Sequence, residues 1–200
     1  MQNSIQAVLL DIGDVLLEID WQPSLEKFGI DLESFEKMRE GELHDQFERG
    51  RLSVKDFFLG VKDELQLKGS LAEMQRGWGS AIKCEIPGVV DWILKYSSQF
   101  PFYVLSNTNQ LHADEEFVKY ALFDSFKELF MSHKMGLRKP EPEVFEAVLE
   151  EIGCPPESVL FVDDRPENIA SARKIGICSE PCFRSAERLR EIFEKHLGSH

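Results

Sequence analysis

The sequence predicts an α/β protein whose open parallel sheet is flanked by helices and interrupted by an inserted helical segment. Three short apolar runs predict the sheet, because each stops abruptly at a polar residue: AVLL before Asp11, FYVL before Ser106 and SVLFV before Asp163. Continuous apolar runs of this length are typical of strands that a parallel sheet buries on both faces. Helical patterns alternate with the later strands, which favours right-handed crossover connections.

Apolar spacing and terminal glycines predict the helices of the core. The run PEPEVFEAVLEEIG places its apolar residues on one helical face and stops at Gly153. A second helix follows Asp164 and stops at Gly176. The apolar face of a last helix consists of Leu189, Ile192, Phe193 and Leu197.

The segment from residue 17 to residue 85 breaks the alternation of strands and helices. Its apolar spacing predicts three helices separated by glycines, around Leu25 to Met38, Ser53 to Leu65 and Leu71 to Ile82. We therefore expect two domains: residues 1–16 and 86–200 form the α/β core, and residues 17–85 form a helical insertion. A length of 200 residues leaves room for one domain with one such insertion.

The composition excludes several classes of protein. Hydrophobic residues make up 42% of the chain and charged residues 30%, the balance of a globular rather than a disordered protein. Asp and Glu outnumber Lys and Arg by 36 to 23, and the net charge of −13 disfavours nucleic acid and anionic membrane surfaces as partners. Such a protein needs a cation or a local group of donors to bind an anionic substrate.

The sequence also predicts a cytoplasmic protein, a monomer or a homodimer, that acts on a small molecule. The N-terminal apolar run lacks a basic start and is cut by Asp11, and no segment approaches the ~20 apolar residues that span a bilayer. Reduced thiols are expected, since no CxxC pair occurs among Cys84, Cys154, Cys178 and Cys182.

Polar residues end the predicted strands, and the carboxyl ends of parallel strands meet at one edge of a sheet. The residues expected to converge there are Asp11, Ser106, Asp163 and Asp164. Neighbouring buried carboxylates repel one another unless a cation holds them, and Mg²⁺ is typically bound by one or two carboxylates together with substrate phosphate. With Lys139 in the loop GLRKP, the set predicts phosphoryl chemistry, in which an aspartate can attack phosphorus.

Four motifs in this order, LLDIGDVLL, VLSNTN, GLRKP and FVDDRPEN, resemble those of the haloacid dehalogenase superfamily. The resemblance covers nearly the whole chain, and the insertion lies where that superfamily places its helical C1 cap. It implies a Rossmann-like core and a Mg²⁺-dependent phosphatase that forms an aspartyl-phosphate. The runs DIGDVLLEIDW, LHDQFERGRLS and LSNTNQLHADEE resemble the subgroup of bacterial α-D-glucose-1-phosphate phosphatases of the YihX type, which implies a substrate such as glucose 1-phosphate.

The resemblance assigns roles at the phosphoryl group. It makes Asp11 the nucleophile. Ser106 and the backbone of Asn107 would donate hydrogen bonds to phosphate oxygens. Lys139 would neutralise the phosphoryl charge and orient Asp11.

The resemblance also implies a metal site. Its ligands would be Asp11, the backbone carbonyl of Gly13 and Asp164. Asp163 would lie next to these ligands. Asn168 would be either a polar neighbour of the metal or a cap at the start of the following helix.

The sequence departs from the superfamily pattern at Gly13. Most phosphatases of this superfamily have an aspartate two residues after the nucleophile, which protonates the leaving oxygen and then activates water. The backbone carbonyl survives at Gly13, so metal binding is expected to persist, but the usual proton donor is missing. The alternatives for that role are Asp20 or a water, Asp14, and no substitute at all.

The insertion supplies candidates for contact with the rest of the substrate. Arg49 and Glu48 are the preferred candidates, and His44 is expected at the surface. The aromatic residues expected in the core of the insertion are Phe47, Trp21 and Trp78.

Three other functions remain open. A dehalogenase-type hydrolase that attacks carbon needs no metal, so the pair Asp163 and Asp164 disfavours it. A receiver domain would carry its acidic pair on the first strand rather than the last. A non-catalytic binding or regulatory protein is compatible with the loss of the usual aspartate at Gly13.

Overall fold

A five-stranded parallel sheet forms the centre of the core. The computed structural model describes residues 4–198, which contain seven strands: β1 (Ala7–Leu10), β2 (Leu17–Ile19), β3 (Ile82–Glu85), β4 (Phe102–Ser106), β5 (Glu128–Met131), β6 (Val159–Asp163) and β7 (Cys178–Pro181). The sheet has the order β5-β4-β1-β6-β7 with every pair parallel. The three predicted strands are its centre, which confirms the parallel α/β fold. The two edge strands lie outside the sequence prediction.

Helices cover both faces of this sheet. The α-helices of the described residues are α1 (Gln22–Phe28), α2 (Leu32–Glu40), α3 (Glu42–Glu48), α4 (Val54–Glu64), α5 (Leu71–Gly79), α6 (Val89–Ser97), α7 (Ser132–Met135), α8 (Pro142–Ile152), α9 (Pro166–Lys174) and α10 (Ala186–Leu197). In β1, Val8 and Leu10 pack in the apolar layer of α6 and α10, whereas Ala7 and Leu9 pack in the layer of α8 and α9. Side chains alternate along a strand in this way, so β1 contributes to both layers. No helix in the described chain is both long and apolar enough to cross a membrane.

Helices α1–α5 form a helical segment with its own apolar core, rich in aromatic rings. Strands β2 and β3 pair antiparallel at the two ends of this segment, so the chain enters and leaves it through a two-stranded ribbon. The division into residues 1–16 with 86–200 and residues 17–85 stays a prediction.

Two of the helix boundaries predicted in this segment were wrong. The helix predicted around Leu25 to Met38 is two helices, because Gly29 ends α1 in the left-handed region, with a φ of 65°, and Asp31 caps the start of α2. The helix predicted from Leu71 to Ile82 ends at Gly79, and strand β3 follows it. Helix α3, which the sequence prediction missed, lies between α2 and α4 in the chain and faces the carboxyl edge of the sheet.

Candidate active site

Three carboxylates meet at the carboxyl edge of the sheet. Asp11 follows β1, Asp163 ends β6 and Asp164 comes directly after it, and these two strands are hydrogen-bonded neighbours. One ligand oxygen from each carboxylate lies within 4.8 Å of the others. Asp11 is 8% exposed and Asp163 is fully buried. The strand ends therefore bring together the acidic residues that the sequence placed there.

Lys139 joins two of these carboxylates. Its Nζ lies 2.8 Å from Oδ1 of Asp11 and 2.6 Å from Oδ2 of Asp163, and it donates a hydrogen bond of 2.7 Å to the carbonyl of Leu105. The three hydrogens of the ammonium thus have three acceptors. Burial alone would lower the pKa of Lys139, but the two aspartates raise it above its usual value, so the side chain stays charged.

Asn107 fixes the backbone of the loop that carries Lys139. Its Oδ1 accepts a hydrogen bond of 2.8 Å from the Lys139 amide, and its Nδ2 donates one of 2.8 Å to the Lys139 carbonyl. Sequence reasoning gave Asn107 only a backbone role and missed this side-chain contact. Ser106, buried at the end of β4, lines the same cleft as Asp11.

Asp163 has partners for both of its oxygens. Oδ2 contacts Lys139, and Oδ1 accepts hydrogen bonds from the Arg165 amide (2.8 Å) and from Nδ2 of Asn168 (2.9 Å). Asn168 therefore holds Asp163, and no side chain caps the start of α9. Asp164, in contrast, lines the open cleft. Of the acidic pair, Asp163 contacts Lys139 and Asp164 faces the cleft.

The pKa values of two carboxylates fit a divalent cation. Burial raises the pKa of Asp11 to about 6, with Lys139 opposing and Asp163 adding to the rise. Burial and the neighbouring aspartates raise the pKa of Asp164 to about 7. A cation between them would favour their ionised forms. Gly13 also lines the cleft, and the carboxylates beside it offer the oxygen ligands that Mg²⁺ prefers.

The two acidic residues considered as substitutes at Gly13 have other partners. Oδ1 of Asp14 accepts hydrogen bonds from the Ile19 amide (3.0 Å) and from Nε of Arg184 (2.8 Å). Asp20 accepts one of 3.0 Å from the first amide of α1, and it is not among the described residues that line the cleft. A Cβ at Gly13 would lie 3.5 Å from Cγ1 of Ile19, an ordinary contact, so the position could hold a side chain.

A cleft of about 630 Å³ lies over the carboxylates, and residues of α2 and α3 form its far side. Arg49 and Glu48, the predicted substrate contacts, both line it but are paired within the protein. Arg49 pairs with Asp45 and Glu141, and Glu48 lies 2.6 Å from Arg138. These two residues connect the helical segment to the loop after α7.

Most aromatic residues of the helical segment pack as predicted. Phe47 and Trp78 are 1% and 6% exposed, and Trp21 packs against the same core. The surface position expected for His44 was wrong, because α3 turns it inward. Burial lowers the pKa of both His44 and His112 to about 4, so both imidazoles are neutral.

Comparisons with known proteins agree with this geometry. Residues 5–176 match the family model of haloacid dehalogenase-like hydrolases. The chain is 26% identical over 183 residues to a D-ribitol-5-phosphate phosphatase from Bacteroides thetaiotaomicron, covering 86% of this chain and 89% of that protein. It is 27% identical over 184 residues to the sesquiterpene phosphatase astK from Aspergillus oryzae, covering 88% and 89%.

A solved structure shows the same similarity. A HAD family enzyme from Bacteroides thetaiotaomicron, crystallised with magnesium and inorganic phosphate, superposes with a TM-score of 0.77. The two are 29% identical, and the match covers 89% of this chain and 94% of that one.

Proposed function

Because the chain belongs to the haloacid dehalogenase-like hydrolases, we propose that it is a Mg²⁺-dependent phosphatase that hydrolyses a small phosphorylated metabolite through an aspartyl-phosphate on Asp11. One observation carries the proposal: a buried lysine, Lys139, contacts Asp11 and Asp163, with Asp164 beside them. When ionised, these four side chains have a net charge of −2, which one divalent cation would balance. The phosphatase relatives and the magnesium- and phosphate-bound structure support the same assignment.

In the proposed reaction, a carboxylate oxygen of Asp11 attacks phosphorus. The new oxygen–phosphorus bond forms as the bond to the leaving oxygen breaks. Lys139 holds Oδ1 of Asp11 and thereby fixes the orientation of the carboxylate, and Ser106 donates a hydrogen bond to a phosphoryl oxygen. Water then attacks the phosphorus of the aspartyl-phosphate, releases inorganic phosphate and restores the carboxylate. Asp11, Asp164 and the Gly13 carbonyl would hold Mg²⁺, which would supply charge neutralisation at the phosphoryl oxygens.

The leaving oxygen takes its proton from water in this proposal. Asp14 is held by Arg184, and Asp20 does not line the cleft among the described residues. Without a positioned acid, the reaction depends on how well the leaving oxygen bears negative charge. Sugar 1-phosphates such as glucose 1-phosphate, whose anomeric oxygen is a better leaving group than an ordinary alcohol oxygen, suit such a site. We assign residues 17–85 as the cap that covers it, as in the subgroup that the sequence resembles.

Phosphate release from a panel of phosphorylated metabolites, with Mg²⁺ or with EDTA, tests the proposal. Asp11→Asn should abolish turnover, whereas Asp91→Asn, at an exposed position on α6, should leave it unchanged. Activity in Asp11→Asn would end the covalent mechanism, and activity in EDTA would contradict the metal role. Chloride release from a 2-haloacid without Mg²⁺ would favour the dehalogenase alternative.

A further inference from the structure

We propose that Arg39 determines specificity by binding a second anionic group, a carboxylate or a further phosphate, on the part of the substrate away from the reacting phosphoryl group. The inference rests on the proposed phosphatase function and concerns the side of the cleft that α2 forms. Arg39 lies near the end of that helix and lines the cleft.

Arg39 differs from the other cations of the cleft in having no carboxylate partner. Five Lys and Arg side chains line the cleft, and four of them form ion pairs with the protein: Arg49, Arg138, Lys139 and Arg165. Within residues 4–198, Arg39 forms none. Its guanidinium lies over the rings of Trp21 and Phe35, at 5.6 and 5.8 Å from their centroids, and this stacking holds the group in place.

Three unsatisfied donors in the same cleft favour a ligand group that accepts hydrogen bonds. Nε of Arg39, Nε of Arg138 and Nε1 of Trp78 are buried and have no acceptor among the described residues. All three residues line the cleft. Guanidinium and indole nitrogens only donate hydrogen bonds, and a buried donor left unpaired is destabilising. A carboxylate or phosphate offers acceptors alone, so it matches these groups better than a hydroxyl group does.

The charges around Arg39 also favour an anion. Burial lowers the pKa of Arg39, and the nearby charges of Arg165 and Arg138 lower it further, while Glu48 and Glu36 oppose them. Glu48 already pairs with Arg138, and Glu36 is exposed to water. An anion would therefore be attracted mainly by Arg39 itself, because Arg138 and Arg165 already have carboxylate partners, and charges interact strongly in a partly buried site.

Matched ligand pairs test this inference. Two pairs test a carboxylate: 3-phosphoglycerate is compared with glycerol 3-phosphate, and 6-phosphogluconate with sorbitol 6-phosphate. The first member of each pair has a carboxylate where the second has a hydroxymethyl group, and the phosphate is on a primary alcohol in both. Fructose 1,6-bisphosphate against fructose 6-phosphate tests a second phosphate. Calorimetry on the Asp11→Asn protein with Mg²⁺ gives each Kd without turnover. Arg39→Gln and Arg39→Lys are compared in that background with Lys37→Gln, an exposed residue of α2 outside the cleft lining.

In at least one pair, we expect the member with the second anionic group to bind roughly 10- to 100-fold more tightly than its partner, the range of a hydrogen bond to a charged group. Arg39→Gln should remove that difference, Arg39→Lys should keep part of it, and Lys37→Gln should keep all of it. With wild-type Asp11 restored, Arg39→Gln should raise KM for the same ligand more than it lowers kcat.

Two results would overturn the inference. One is equal affinity for both members of all three pairs, and the other is an Arg39→Gln variant that loses affinity equally for both members of a pair. Tighter binding only of 3-phosphoglycerate or 6-phosphogluconate would identify the second anionic group as a carboxylate. Tighter binding only of fructose 1,6-bisphosphate would identify it as a phosphate. Both results support the role of Arg39. A wild-type protein that releases phosphate from neither p-nitrophenyl phosphate nor any metabolite of the panel refutes the phosphatase proposal, but the binding comparison still decides the role of Arg39.

Discussion

Replacing Lys139 with methionine removes the charge that links two carboxylates from different strands. The ammonium lies 2.8 Å from Oδ1 of Asp11 and 2.6 Å from Oδ2 of Asp163, and the side chain is almost fully buried. Methionine keeps most of the apolar stem without the charge. The substitution therefore tests the electrostatics of the cluster while largely preserving its packing.

We expect this variant to lose about 100-fold or more in kcat. A preorganised donor at a site of developing charge typically contributes about 3–4 kcal/mol, and about 1.4 kcal/mol corresponds to a factor of ten. Lys139 also fixes Asp11 through Oδ1, so its loss removes orientation as well as charge.

The same substitution should lower the free energy of unfolding by about 3–5 kcal/mol in EDTA, since it leaves buried carboxylates without their partner. With Lys139 present, the pKa of Asp11 is about 6, and Lys139 acts to lower it. Its removal raises that pKa further above the unfolded value of about 3.9. The folded state then loses stability as pH rises through the folded pKa, so the loss is larger at about pH 8 than at about pH 5.

Urea unfolding at both pH values and steady-state kinetics with p-nitrophenyl phosphate check these results. Lys134→Met, at an exposed position on α7, is the matched control and should resemble the wild type. A kcat within about threefold of the wild type would show that Lys139 is a bystander. A loss of stability that is equal at the two pH values would refute the charge argument.

Three further predictions concern the metal, the leaving group and pH. Asp164→Ala should raise the Mg²⁺ concentration needed for half-maximal activity. It should also raise the Tm in EDTA, because one carboxylate that repels its neighbours is gone. An unchanged Mg²⁺ titration would contradict this prediction. The wild type should have a higher kcat/KM for glucose 1-phosphate than for glucose 6-phosphate. Gly13→Asp should reduce the difference between these two values, since a positioned acid accelerates the reaction about 10²- to 10⁴-fold and least for good leaving groups. Equal wild-type values would mean that another group donates the proton. Burial holds the pKa of His112 at about 4, so the unfolded chain binds more protons between about pH 6.5 and about pH 4, and stability is lost as pH falls through that window. His112→Gln should flatten this part of the stability profile, and an unchanged slope counts against a neutral His112.

The sequence predicts the acidic edge of the fold because strand endings are local features. The runs that stop at Asp11, Ser106 and Asp163 are continuous apolar segments, and parallel pairing then leaves one edge where their ends can meet. The sequence did not predict strands β5 and β7, because edge strands need no continuous apolar run. ELFM begins with the exposed Glu128, and CSEP contains Ser179 and Glu180 and ends at a proline. Helix α3 has seven residues, too few for periodicity to identify it.

The pairing of charges is beyond the sequence because it depends on contacts between distant residues. Asp45 lies only four residues before Arg49 and is a local partner, but the pairing of Arg49 with Glu141 joins residues 92 positions apart, and only the fold shows it. The fold likewise shows that Arg39 forms no ion pair within residues 4–198. The bonds from Asn107 to the Lys139 loop span 32 residues of sequence, so neither motif alone reveals them.

The most direct test of the central claim is to trap the phosphorylated nucleophile. The protein is mixed with excess p-nitrophenyl phosphate and Mg²⁺, quenched in acid at increasing times and examined by intact-protein and peptide mass spectrometry. We expect one phosphoryl group on the peptide that contains Asp11, and none in Asp11→Asn or in EDTA. Steady phosphate release with no adduct at any quench time, or an adduct on a different residue, would contradict the account.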